Sequence, residues 1–304
     1  MSTLPARRVM QQVAEAIPRE LQREIIIVGS LAAAYHFFGQ DSGGEITTKD
    51  VDGMLSPNAH AIRNGRAIAE RLFEAGWTLK KDPKWRTLGD ASTPLDELPI
   101  LRMHPPGNTD WVLELAAAPP AGSSAPKVFE RVSTTHGDFT LYSFRFLALA
   151  EEDPLESDFG IFYARPEMMA LANLLHHPRI GPEFIPGTEE KRSNKDLGRV
   201  LALAWLASAR ERDALEEWHP RWLAALQSRF RTEWAELALR AGDGLRLLVE
   251  DNHKLDFDEA TRLSNLSLLK GLDLGATHLR ATARRVLGDA LRPLEAAART
   301  KSVA

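Results

Sequence analysis

The chain of 304 residues contains no cysteine. Disulfides, thiol catalysis and cysteine metal sites are therefore excluded, and the absence is typical of an intracellular protein. The chain also has no strong excess of charge, because 38 basic and 42 acidic residues give a formal net charge of −4. No global positive field indicates a nucleic-acid-binding protein, although a local basic patch can still bind nucleic acid.

Long hydrophobic runs are also missing. The N-terminal stretch MSTLPARRVMQQVAEAI has no continuous apolar segment of the kind that a signal peptide needs. The longest largely apolar run, IIIVGSLAAAYHFF, is too short and too interrupted to span a bilayer. We therefore expect a cytoplasmic protein with no membrane partner.

The order of the predicted elements divides the chain into two parts. Residues 1–160 mix helical patterns with short β patterns, including buried strands at Ile25–Val28 and Val51–Leu55. This part is expected to be α/β (α+β), with a mixed sheet flanked by helices. Residues 161–304 have almost wholly helical spacing, which predicts a separate α-helical domain.

Two carboxylates, Asp50 and Asp52, open the second of these strands. Side chains at i and i+2 of a strand point to the same side of the sheet, so both acids face the same way. Two like charges beside an apolar layer are costly unless a cation lies between them, and the pair therefore predicts a metal site. The same spacing at Asp256 and Asp258 precedes a helical pattern, where N-capping and first-turn positions explain it.

The first strand ends in Gly29 and Ser30, which open a short helix. Free backbone amides, a serine hydroxyl and the positive end of a helix dipole would then meet at one point. Glycine lets the backbone approach a ligand closely, because it has no Cβ. This combination predicts a phosphate-binding turn.

The order of strand, Val28-Gly29-Ser30, helix, and then Thr48-Lys49-Asp50-Val51-Asp52 at the next strand resembles the nucleotidyltransferase superfamily of the polymerase-β type. The resemblance implies that Gly29, Ser30 and Lys49 bind a nucleoside triphosphate. It also implies that Asp50 and Asp52 are catalytic residues that bind Mg²⁺, and that a third acidic residue comes from a later strand.

Glu114, in Trp111-Val112-Leu113-Glu114-Leu115, is the candidate for the third catalytic and metal-binding acid. Strand alternation places it opposite the apolar face of Leu113 and Leu115, although the superfamily more often has aspartate at this position. The alternatives are that Glu114 is a solvent-exposed edge-strand residue, or that Asp110 is the third acid. Asp110 follows Gly107-Asn108-Thr109, which has the composition of a turn.

In the helical part, Lys191-Arg192-Ser193-Asn194-Lys195-Asp196-Leu197 resembles a Lys-Asp-containing segment of the AbiEii-type toxins, which belong to type IV toxin–antitoxin pairs. The resemblance implies that Lys195 contacts the triphosphate. The alternative is that Ser193 or Asn194 caps a helix with Asp196 in its first turn.

The superfamily resemblance therefore implies a Mg²⁺-dependent enzyme that moves a nucleoside monophosphate from a triphosphate to a hydroxyl acceptor. The toxin resemblance implies that the acceptor is a tRNA end or a protein, and that an antitoxin is encoded nearby. An antibiotic nucleotidyltransferase and a non-catalytic nucleotide-binding module remain open as alternatives.

Overall fold

The computed structural model describes residues 3–39, 45–48, 50–81 and 88–301. The chain splits into two compact units, Met1–Arg165 (unit 1) and Pro166–Ala304 (unit 2). The division therefore follows residue 165, whereas the sequence patterns placed it after residue 160. The reason is a pair of short strands, Leu155–Glu156 and Phe162–Tyr163, which straddle residue 160 and join the sheet of unit 1.

Unit 1 combines strands with a few helices. Its strands are β1 (Thr3–Pro5), β2 (Ile25–Val28), β3 (Glu45–Thr47), β4 (Asp50–Leu55), β5 (Thr78–Leu79), β6 (Arg102–His104), β7 (Val112–Ala117), β8 (Lys127–Thr134), β9 (Gly137–Phe144), β10 (Leu155–Glu156) and β11 (Phe162–Tyr163). Its α-helices are α1 (Ala6–Ala16), α2 (Gly29–Phe38) and α3 (Asn58–Glu74). Two 3₁₀ segments, Arg19–Glu24 and Arg145–Glu151, follow α1 and β9.

Within the described residues, nine of these strands form one mixed sheet, which confirms the predicted α/β character. Its strands follow the order β10-β11-β2-β4-β7-β6-β5. β2 is antiparallel to β4, and β4 is parallel to β7. The edge of β7 that faces away from β4 pairs with two strands. β6 pairs with the first half of β7, and β9 pairs with Ala116 near its end. β7 is therefore a central strand, and β8 extends the sheet beyond β9.

Helix α3 covers one face of this sheet. A Cβ at Gly65 would lie 3.0 Å from Leu55 and 3.1 Å from Leu141, so α3 approaches β4 and β9 closely. Side chains alternate between the two faces along a strand, so the orientation of one β4 residue fixes the face of the others. Because Leu55 faces α3, Asp50 and Asp52 lie on the opposite face, as the i and i+2 spacing predicted.

Unit 2 is mainly helical, and its helices run from Pro166 to Lys301. They are α4 (Pro166–His176), α5 (Arg192–Arg210), α6 (Trp218–Arg229), α7 (Trp234–Arg240), α8 (Asp243–Val249), α9 (Lys254–Leu266), α10 (Ala276–Arg285) and α11 (Arg292–Lys301). A 3₁₀ turn, Asp251–His253, precedes α9, and a π-helical segment, Val286–Leu291, joins α10 to α11. Across the described part of the chain, no helix combines the length and apolar character needed to cross a membrane.

Helices α5 and α9 pack closely because Gly198 lies at their contact. A Cβ at this position would lie 2.7 Å from the Ala260 carbonyl oxygen and 2.9 Å from Ser264 Oγ. The same Ser264 hydroxyl donates to the Gly198 carbonyl at 2.8 Å, which ties the two backbones together. The space beside Gly198 is thus filled by backbone that cannot rotate away.

We expect Gly198→Ala to destabilise unit 2 by about 1–3 kcal/mol, the usual cost of overpacking a tight core contact. The measurement is hydrogen exchange of the α5 and α9 amides, which reports on one unit of a two-unit chain. Gly288→Ala is the matched control, because a Cβ at Gly288 has no atom within 4 Å. Equal protection in both variants would contradict the prediction.

The Asp256 carboxylate joins α9 to the start of α5. It accepts hydrogen bonds from Lys191 Nζ at 2.7 Å and Asn194 Nδ2 at 2.8 Å, and it pairs with His253 Nδ1 at 3.0 Å. Burial alone would raise the pKa of Asp256, but these partners outweigh burial and lower the pKa to about 2. Asp256 therefore lies in the first turn of α9, as predicted, and contributes tertiary contacts as well.

The depressed pKa predicts acid sensitivity. A carboxyl whose pKa falls from 3.8 to about 2 on folding stabilises the fold above pH 4, and this stabilisation is lost as pH falls toward 2. We expect Asp256→Asn to be less stable than wild type at neutral pH, with the difference shrinking over that window. Circular dichroism during acid titration checks this, with exposed Asp258→Asn as control. A difference from wild type that does not change with pH would contradict it.

Candidate nucleotide-binding site

Four neighbouring strands place the site residues in one row across the sheet. Val28 on β2 pairs with Asp52 on β4, Asp52 pairs with Glu114 on β7, and Glu114 pairs with Arg102 on β6. In-register residues on adjacent strands lie about 4.8 Å apart and point to the same face. The structure therefore brings the strand before the Gly-Ser turn, the acidic pair and the candidate third acid onto one polar face.

The turn at Gly29 lies directly against Asp52. Gly29 opens α2 with a φ of +70°, a left-handed conformation that favours glycine. A Cβ at Gly29 would lie 2.8 Å from Asp52 Oδ2, so no side chain fits there. The next residue, Ser30, is buried in the first turn of α2. The backbone at the start of α2 and the Asp52 carboxylate thus lie directly against each other.

Glu114 is buried, with 5% of its surface exposed. Arg102 Nε donates a hydrogen bond to Glu114 Oε2, and the Tyr142 hydroxyl donates to Glu114 Oε1. Each carboxylate oxygen of Glu114 therefore has a protein donor. The interpretation of Glu114 as a solvent-exposed edge-strand residue is wrong, because β7 is central and pairs with strands on both of its edges.

Glu114 raises the pKa values of its two partners, Arg102 and Tyr142. Burial alone would lower the pKa of Arg102, but the hydrogen bond and charge of Glu114, with a further contribution from Asp50, raise it. Burial raises the pKa of Tyr142 well above 10, and the negative charges of Glu114 and Asp52 raise it further. Arg102 is therefore a permanent cation, and Tyr142 stays protonated as a hydrogen-bond donor at neutral pH.

Asp50 is the more accessible acid of the pair, and half of its side chain is exposed. Lys80 Nζ lies 3.6 Å from Asp50 Oδ1, and the Thr48 hydroxyl donates to the Asp50 carbonyl oxygen at 2.9 Å. Lys80 comes from the segment after β5. On the polar face, Lys80 and Arg102 thus each lie beside a carboxylate.

The fit of Mg²⁺ depends on how many oxygens the protein must supply. Within residues 3–39, 45–48, 50–81 and 88–301, no three His, Asp or Glu side chains form a group arranged to hold a metal. Mg²⁺ is usually held by one or two carboxylates together with water and substrate phosphates, rather than by an all-protein cage. Asp50 and Asp52, on one face of β4, fit that two-carboxylate mode.

The remaining predicted residues are Lys49, Lys195 and Asp110. Lys49 falls outside the described residues. Lys195 is exposed on α5 in unit 2. Asp110 lies in an exposed turn, where its backbone N–H donates to Asn108 Oδ1 at 2.7 Å, as its turn composition indicated.

The helix-cap interpretation of residues 193–196 is wrong, because the N-cap of α5 is Lys191. Asn194 is fully buried inside the helix and donates to Asp256 and Glu259. Asp196 Oδ2 lies 2.8 Å from His177 Nε2 rather than serving the first turn of α5.

Sequence reasoning missed Arg102, Lys80 and Tyr142. Arg102 had a detectable signal, because it stands between the buried Leu101 and Met103 in a β pattern, as Glu114 does between Leu113 and Leu115. Lys80 and Tyr142 had none, since their relation to the acids depends on the strand order. Comparisons with protein-family models, curated proteins and solved structures found no match to this chain.

The buried pair of Glu114 and Arg102 predicts that replacing Arg102 and replacing Glu114 lower the stability of the protein by different amounts. Arg102→Met leaves Glu114 as an uncompensated buried charge, which we expect to cost about 3–5 kcal/mol. Glu114→Gln should cost less, because the Arg102 side chain is 29% exposed and can reach water. Hydrogen exchange of the β7 amides measures both effects.

The double variant Arg102→Met with Glu114→Gln provides the internal control. It removes both charges, so we expect it to be more stable than Arg102→Met alone. Simple additivity of the two single effects would contradict the interpretation of Glu114 and Arg102 as a coupled pair.

Proposed function

We propose that this chain is a nucleotidyltransferase of the polymerase-β type, which transfers a nucleoside monophosphate from a nucleoside triphosphate to a hydroxyl group. The observation that carries the proposal is the contact between the Gly29 turn and Asp52. It combines a phosphate-compatible helix start with a carboxylate of a same-face pair, in the chain order that the superfamily resemblance implies.

In the proposed reaction, the backbone amides at Gly29 and Ser30 bind phosphate oxygens at the start of α2. Asp50 and Asp52 would hold Mg²⁺, which supplies positive charge to the phosphate oxygens when it is bound. An acceptor oxygen forms a bond to the α-phosphorus, and the bond from that phosphorus to the bridging oxygen breaks. Pyrophosphate leaves and the hydroxyl proton passes to water.

The cations of the polar face have supporting roles in this proposal. Lys80 lies 3.6 Å from Asp50 and is long enough to turn toward a phosphate when a ligand binds. Arg102 is held by Glu114, so Glu114 acts as a positioning residue for a permanent positive charge. This role for Glu114 stands beside its predicted role as third metal ligand or base, because each carboxylate oxygen has two lone pairs and accepts one hydrogen bond here.

We also propose a particular kind of nucleotidyltransferase. The segment from Lys191 to Leu197 supports a type IV toxin that modifies a tRNA end or a protein in the cytoplasm and is paired with an antitoxin. Its support is the sequence resemblance alone. An antibiotic acceptor is distinguished from these by the pool into which label is transferred.

A second candidate, a non-catalytic nucleotide-binding module, has a specific observation in its favour. Both oxygens of Glu114 already accept hydrogen bonds from Arg102 and Tyr142. A third acid engaged in this way has fewer lone pairs left for a metal ion or a transferred proton. Such a module would bind a triphosphate without releasing pyrophosphate, whereas the enzyme would do both.

The test is incubation of the protein with Mg²⁺, each α-³²P-labelled nucleoside triphosphate and pools of RNA, protein or small-molecule hydroxyl compounds. We expect release of pyrophosphate with label in one pool. Replacing Asp50 and Asp52 with Asn should reduce the rate at least about 100-fold, the scale on which loss of one transition-state contact acts.

Asp96→Asn is the matched control, because Asp96 is an exposed acid of the same unit in the turn at residues 94–97. It should retain full activity. Triphosphate binding without pyrophosphate release, whichever acceptor pool is added, would favour the non-catalytic module. Absence of triphosphate binding would refute both candidates.

A further inference from the structure

Three aromatic rings lie together on the hairpin formed by β8 and β9. They belong to Phe129, Tyr142 and Phe144, and we name them the aromatic platform. The rings of Tyr142 and Phe144 are 5.1 Å apart at an angle of 65°. Lys127 Nζ lies 4.6 Å from the Phe129 ring, 5.3 Å from the Phe144 ring and 5.6 Å from the Tyr142 ring. Phe129 and Phe144 are partly exposed, Tyr142 is buried, and Lys127 is exposed.

The register of the hairpin puts all four side chains on one face. Phe129 pairs with Tyr142, and Lys127 pairs with Phe144. Directly paired residues of antiparallel strands point to the same side, as do residues two apart on one strand. Helix α3 covers the other face of the hairpin, where Val132 and Leu141 pack against Gly65. The platform is therefore on the polar face of the sheet.

Tyr142 connects the platform to the candidate site. Its hydroxyl donates to Glu114, and its ring belongs to the platform. Tyr142 pairs with Ala116, two residues beyond Glu114, and Phe144 lies two residues further along β9. At the usual rise per residue, Phe144 lies roughly 13 Å from Glu114 along the strands.

This distance matters for the choice of ligand. The Gly29 turn follows β2, which is two strands away from β7 on the side opposite β9. A single nucleotide held by its phosphates at that turn would have to cross three strand spacings, about 14 Å, and also run along the strands to reach Phe144. A nucleic-acid strand whose terminal hydroxyl lay at Asp52 is long enough for its preceding bases to reach Phe144. Met54 and Ala116, which lie between the acids and the platform on this face, are buried, so such a strand would run beside them rather than over them.

We propose that Phe129 and Phe144, the two partly exposed rings of the aromatic platform, stack bases of a single-stranded nucleic acid, and that Lys127 contacts a phosphate of the same strand. The proposal rests on the proposed function, because it makes that strand the hydroxyl acceptor. Aromatic rings beside a cation are the combination by which proteins bind single strands, since bases offer π-faces and the backbone offers negative charge. The Lys127 ammonium disfavours a purely apolar partner.

The test is fluorescence anisotropy with a short, end-labelled single-stranded RNA, followed by competition with double-stranded RNA and, in parallel, titration with Mg²⁺ and each nucleoside triphosphate. We expect Phe129→Leu and Phe144→Leu each to weaken RNA binding roughly tenfold, the scale of one stacked base. Triphosphate binding should be unchanged, which also reports that the site remains folded. Double-stranded RNA should compete poorly, because its bases are stacked inside the duplex.

Phe73→Leu is the matched control. Phe73 is also partly exposed, but it lies on α3 and its ring stacks on His136 at 3.9 Å. It should bind RNA as wild type does. Lys127→Met keeps the length of the side chain without its charge, and should lower the salt dependence of RNA binding by about 0.7 in the log–log slope, the value for one phosphate.

Several outcomes would overturn the proposal: no RNA binding by wild type, RNA affinity unchanged in the platform variants, or an equal loss of triphosphate affinity, which would assign the platform to the donor base. A slope unchanged by Lys127→Met would overturn the phosphate contact. Pyrophosphate release that persists under any of these outcomes leaves the proposed function standing. Failure of triphosphate binding in wild type would instead refute the proposed function.

Discussion

The buried carboxylate of Glu114, at the centre of the unit 1 sheet, constrains the structure around it. Removing a carboxylate from water costs several kcal/mol unless charged or hydrogen-bonding partners replace the lost hydration. Arg102 supplies the charge and Tyr142 supplies a second donor. An apolar residue would fill the same place in the core at lower cost. Stability alone therefore does not explain the buried charge.

Those partners extend in two directions from Glu114. Arg102 reaches toward the acidic pair, since the charge of Asp50 contributes to its raised pKa. The ring of Tyr142 belongs to the aromatic platform and lies beside the Lys127 ammonium. The proposed phosphate site and the proposed base-stacking surface thus share one hydrogen-bonded connection. Each carboxylate oxygen of Glu114 has its own donor, so one side chain contacts both ends.

The two Asp-x-Asp segments demonstrate what local patterns can and cannot predict. Asp50 and Asp52 lie on a strand, so their i and i+2 spacing places both on one face. Asp256 and Asp258 lie on a helix, where residues two apart do not face each other, and they diverge accordingly. The sequence distinguished these cases because the surrounding periodicity differs. It did not predict that Asp256 would bind Lys191 and Asn194, since those partners come from another helix.

From the sequence alone, the main elements of unit 1 and the shared orientation of Asp50 and Asp52 were predictable. β2 begins and ends where its four β-branched residues do, and α3 occupies the segment between Pro57 and Gly76. These features depend on neighbours along the chain. The partners of Glu114 do not, because they are 12 and 28 residues away in the sequence. Only the strand order, with β6 and β9 sharing one edge of β7, decided that an arginine and a tyrosine would meet this carboxylate; side-chain periodicity reports which face a residue occupies, but carries no information on which strand lies beside it.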